Sequence, residues 1–163
     1  MNWLIGAVLM ILSTLVGYAT AHAYKKSYTF INDFCSFLQF LESNCAFLQD
    51  SLKNILENCK AMYNTDFNAF LTGLYQNLDS KEEYLNNWKN SQKIISKDEA
   101  TKISDFFSQF GRLDCDTQIS AIKSSAENFA KVKQVWGEKV NKKGSLTTKL
   151  GLVCGVALFI IVL

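Results

Sequence analysis

Residues 30–55 read FINDFCSFLQFLESNCAFLQDSLKNI, and their spacing decides the fold. Ile31, Phe34, Leu38, Leu41, Cys45, Leu48, Leu52 and Ile55 follow one another at strict three- and four-residue steps. Side chains at those steps stack on one face of a helix. Phe30, Phe37, Phe40 and Phe47 widen that face, so this helix is expected to touch more than one neighbour. If the pattern breaks near 49–51, Asp50 or Ser51 is placed to cap a following helix.

The helical period continues downstream. Thr65 is placed to cap a helix bearing Phe67, Phe70, Leu71, Leu74, Tyr75 and Leu78, and Asp79 or Ser80 a short one bearing Tyr84, Leu85 and Trp88. Ser96 and Glu99 have the spacing of a capping box, opening a helix with Ala100, Ile103, Phe106, Phe107 and Phe110 that Gly111 ends. Asp114 caps the last long helix, with Ile119, Ile122, Ala126, Phe129, Trp136 and Val140 on its seam and Val132 and Val135 beside it. Gly137 and Gly144 are expected bends in it, each costing about 1 kcal/mol against Ala. The chain has no proline, and no alternating strand pattern occurs. The expected fold is all-α, a helical bundle of about six helices, and twelve Phe give it ample core.

Outward from this bundle the chain becomes apolar at both ends. Every Lys, Arg, Asp and Glu lies between Lys25 and Lys149. The first run, 3–24, has 22 residues. At ~1.5 Å per residue it spans ~33 Å, enough for a ~30 Å hydrocarbon core, with Trp3, Tyr18 and Tyr24 near its ends. The second has 14 residues from Leu150 and 18 from Leu146, the longer count requiring Lys149 to snorkel. The expected layout is a transmembrane helix at 1–24, a helical-bundle domain at 25–145 and a transmembrane helix at 146–163. Ala21-His22-Ala23 resembles a signal-peptidase site, but no basic side chain precedes the apolar run, which is also too long for a signal peptide.

Charge sets the expected orientation. Lys25 and Lys26 follow the first run; Lys139, Lys142, Lys143 and Lys149 precede the second. Basic residues flanking spans stay inside, which puts the middle domain in the cytoplasm. Residues 131–149 carry a net +5 and residues 25–130 a net −3. A basic block against a bilayer attracts anionic lipid, about 1 kcal/mol per Lys. Its shortness and position speak against nucleic acid.

Chemistry is sparse. The single His, His22, lies at the end of the first run, so the domain lacks a His-based triad or metal site. No phosphate-binding glycine motif occurs. Glu82-Glu83 and Asp98-Glu99 read as solvated helix starts. The five cysteines form no C-x-x-C, and in a reducing cytoplasm they stay thiols, with Cys35 and Cys45 as small core residues. No enzyme activity, cofactor, metal, small-molecule substrate or nucleic acid is expected. Gly151 and Gly155 form a small-xxx-small face, for which Gly6 and Gly17 are candidate partners.

On these residues the chain resembles the stage III sporulation protein AB family over its whole length. Leu41-Glu42-Ser43 stands where the family has L-E-T. Phe110-Gly111-x-x-Asp114-x-x-x-Gln118 is similar to its L-G-x-x-D-x-x-x-Q turn, and Leu150-Gly151-x-x-x-Gly155 to the start of its final span. Asn44 and Cys45 depart from the family, which often has a second acidic residue there, and the family's proline in the next loop is missing. The resemblance implies a domain similar to the cytoplasmic domains of type II secretion and type IV pilus platform proteins. It implies a non-enzymatic scaffold in the sporulation channel complex between mother cell and forespore, in the mother-cell membrane. Its partners would be a secretion-type ATPase and the complex's other membrane subunits. Asp114 and Gln118 would act structurally at the turn. The rival is an extracytoplasmic membrane-anchored helical binding protein, which would expose four cysteines to oxidant. A membrane enzyme with a cysteine nucleophile lacks a base.

Overall fold

A computed structural model describes residues 2–43, 52–59, 62–110 and 115–162. Within these, the side chains of 2–6, 9, 115, 145, 148, 158, 159, 161 and 162 lie outside the description. All regular structure among the described residues is helical. The α-helices are α1 (Asn2–Ser43), α2 (Leu52–Asn58), α3 (Thr65–Gln76), α4 (Lys81–Ser91), α5 (Lys97–Gln109), α6 (Cys115–Glu138) and α7 (Ser145–Val162). A π-helical segment, Lys139–Gly144, joins α6 to α7. The chain divides into two units, one of Met1–Tyr28 with Gln134–Leu163 and one of Thr29–Lys133.

Among its described residues the Thr29–Lys133 unit holds six helical pieces, with the α1 seam at its centre. Ile31, Phe34, Leu38 and Leu41 are fully buried, and so is Phe37 on the widened face. Their rings reach three other helices. Phe34 meets Phe129 of α6 edge-on at 4.7 Å, Phe37 stacks on Phe107 of α5 at 5.5 Å, and Phe30 meets Phe67 of α3 at 5.3 Å. On α4, Leu85 is buried and Trp88 lies 4.4 Å from Phe70. Each buried Phe contributes about 1.5–3 kcal/mol, and edge-on pairs add to that.

Several local expectations change. Among the described residues α1 is seen to Ser43, and Ile55 lies in α2, Leu52–Asn58. Cys45, Phe47, Leu48, Asp50 and Ser51 lie outside the described residues. Asn64, not Thr65, is the N-cap of α3, because Asn64 takes the extended backbone while Thr65 is already helical. Ser80 is the N-cap of α4 but makes no side-chain cap. The Ser96 box forms in full: Glu99 N–H donates to Ser96 Oγ at 3.3 Å, and Ser96 N–H to Glu99 Oε2 at 2.9 Å. On α6, Ile122 and Phe129 are buried, but Val135 is exposed. Gly137 lies in the last turn of α6, and Gly144 closes the π-helical segment, which joins α6 to α7 with no gap in helical structure.

Candidate functional site

In the first unit α1 and α7 cross as an antiparallel pair on small residues. The two seams are Met10, Ser13, Gly17, Ala21 and Gly144, Thr147, Gly151, Gly155, each stepping by three or four. A Cβ added at Gly17 would stand 2.8 Å from the Thr147 carbonyl oxygen and 3.4 Å from the Gly151 Cα. One at Gly151 would stand 3.0 Å from the Ser13 carbonyl oxygen, and one at Gly155 3.0 Å from that of Met10. The backbones therefore approach as closely as glycine permits. Ser13 Oγ donates across the crossing to the Gly151 carbonyl at 2.8 Å. The hydroxyls of Thr14 and Thr20 donate to the Met10 and Val16 carbonyls one turn back, at 2.9 Å each.

The register is constant. Met10 opposes Gly155, Ser13 Gly151, Ala21 Gly144 and Tyr28 Gly137. Above Ala21 and Gly144 the interface turns aromatic: Tyr24 lies 6.5 Å from Trp136, and Gly137 makes room for the Tyr28 ring. Lys139 Nζ sits 4.0 Å over the Trp136 ring. Below them the outer surface is apolar, with Val8, Ile11, Leu12, Leu15, Val16, Leu150, Leu152, Val153 and Ile160 each more than half exposed. Among the described residues no helix is long and apolar enough to cross a membrane. Residues 2–6 and 9 of α1 and several of the last residues of α7 contribute no described side chains.

Of the residues singled out from sequence, Leu150, Gly151 and Gly155 fall on α7 and Gly17 on the facing seam. Leu41 is buried near the end of α1, while Glu42 is exposed. Phe110 and Gln118 are both buried and line one cavity of about 260 Å³ between α5 and α6, with Phe106, Phe129, Asn128 and Ser125. Gly111 and Asp114 lie outside the described residues; α6 begins at Cys115. Lys25, Lys26, Lys142, Lys143 and Lys149 are exposed, Lys139 less so.

Two anchors escaped the sequence reading. Asp33 is buried in α1, where its Oδ2 accepts from the Asn64 N–H at 2.9 Å and its carboxylate from the Asn64 amide at 2.9 and 3.1 Å. Its signal was an acidic residue inside an apolar stripe. Lys81 Nζ donates to the Ser108 and Phe110 carbonyls at 3.1 and 3.2 Å, closing the end of α5. A lysine in the first turn of a helix opposes that helix's own dipole, which marks it as serving another element. Burial raises the Cys59 thiol from 9.0 to about 11, despite an offsetting hydrogen bond with Tyr63. Burial, then the neighbouring Cys59 and Asp33, push the Tyr63 hydroxyl up. Cys35, Cys59 and Cys154 are free thiols. Among the described residues no cluster of His, Cys, Asp and Glu is arranged for a metal ion.

A model of the stage III sporulation protein AB family matches residues 2–163. No curated protein and no solved structure matches the chain. The chain belongs to the stage III sporulation protein AB family.

Proposed function

We propose that this family member is a non-enzymatic membrane scaffold, a platform subunit of the sporulation channel complex between mother cell and forespore. It docks a secretion-type ATPase and is held in the mother-cell membrane by α1 and α7. The observation that carries this reading is the inside-out helix pair. Small and hydroxyl side chains form its interior, and large aliphatic ones face outward. Water would penalise that arrangement, whereas lipid favours it. From Asn2 to Ala21 and from Gly144 to Val162 each helix covers about 30 Å at 1.5 Å per residue, the thickness of a hydrocarbon core. Hydroxyls that bond their own helix's carbonyls suit a medium without water.

The lysines flanking the pair favour a bundle on the cytoplasmic side, where an ATPase has access. α1 and α6 each contribute residues to both units. The test is flotation of the complex's secretion-type ATPase with vesicles carrying the full chain. The ATPase should rise with these vesicles and stay behind with empty ones. Equal behaviour with both overturns the docking role.

A further inference from the structure

The α1/α7 register brings together two lysine groups that are more than a hundred residues apart in sequence. Lys25 and Lys26 come level with Lys139, and Lys142 and Lys143 with Ala23 and His22. The backbone positions of five lysines thus fall in a tier about 6 Å tall, four residues of helix. Tyr24, in this tier, lies 6.5 Å from Trp136, which borders it one turn before Lys139, and Lys139 lies over Trp136. Lys149 comes level with Val16, inside the apolar surface, with a stem long enough to return its charge toward the tier. Glu138, paired with Lys142 at 3.2 Å, is the one carboxylate in 134–149. Lys25, Lys26 and Lys143 are exposed as well.

We propose that this tier is a collar selecting anionic phospholipid headgroups from the adjoining leaflet. The inference rests on the membrane reading of the helix pair. Indole and phenol rings hold the chain at headgroup depth, and the lysines are spread around both helices at that depth. A ring of several phosphate-bearing headgroups fits this layout better than one buried ligand does. One engaged lysine enriches an anionic lipid about fivefold over a zwitterionic one.

The test uses the full chain with Trp3→Phe and Trp88→Phe, leaving Trp136 as the reporter, with folding checked by circular dichroism. It is reconstituted in phosphatidylcholine vesicles containing an equal fraction of brominated phosphatidylglycerol or brominated phosphatidylcholine. The phosphatidylglycerol should quench Trp136 several-fold more, and high salt should remove the difference. The variant K25Q/K26Q/K142Q/K143Q should lose the difference yet remain quenched by both lipids; Lys139 stays because it covers the indole. Equal quenching by both lipids in the lysine-intact chain overturns the collar and leaves the membrane reading standing. No quenching by either overturns both.

Discussion

Asp33 illustrates what one side chain decides. Its carboxylate is buried, and Asn64 supplies all three of the hydrogen bonds described for it, fixing the start of α3 against α1. Asp33→Ala leaves those donors unmet, at a cost of about 1–3 kcal/mol in denaturant unfolding of the full chain in detergent. Ser13→Ala removes one hydrogen bond across the crossing and should weaken the helix pair by only about 0.6 kcal/mol, as such bonds do in lipid. Cys59 predicts an alkaline effect. Its folded-state pKa lies above its unfolded value, so its stabilising contribution is whole below pH 9.0 and is lost as pH rises to about 11. In that window the unfolded chain has released a proton that the folded chain still holds. Cys59→Ala should flatten the decline in melting temperature across this window; an unchanged decline would assign it to other groups.

At the scale of elements, the crossing and the π-helical segment make a joint prediction. Cβ atoms at Ala21 and Gly144 would be 3.9 Å apart, a separation that suits a disulfide. In a chain with Cys45, Cys115 and Cys154 changed to Ala, Ala21→Cys with Gly144→Cys should oxidise readily. Adding Gly17→Leu should suppress the bridge, because even a Cβ there crowds the Thr147 carbonyl. Deleting Asn141 from the π-helical segment should leave the bridge able to form, because a π turn holds one residue more than an α turn and the deletion restores the α period without turning α7. Helix identities and most of the core were legible because 3-4 spacing reports burial directly: Ile31, Phe34, Leu38 and Leu41 are fully buried, and the Ser96 box closes. The π-helical segment was not legible, since it depends on matching two seams, Trp136–Gly137 and Gly144–Gly155, against one partner helix. Nor was the Asp33–Asn64 bond, which joins residues 31 apart through tertiary packing alone.

For the molecule as a whole, the apolar ends and the lysines inside them support the account proposed above, in which an antiparallel pair holds a helical bundle at a membrane. The most direct test of that account is accessibility of one thiol in cells producing the full chain. Lys93 is exposed in the Thr29–Lys133 unit, while Cys35 and Cys59 are buried and slow to react. Lys93→Cys, with Cys45, Cys115 and Cys154 changed to Ala, is treated with a membrane-impermeant maleimide before and after permeabilisation. The account predicts labelling only after permeabilisation, on a chain that stays with the membrane fraction through alkaline carbonate. Labelling of intact cells would put the bundle on the outer face and contradict the account, as would release of the chain by carbonate.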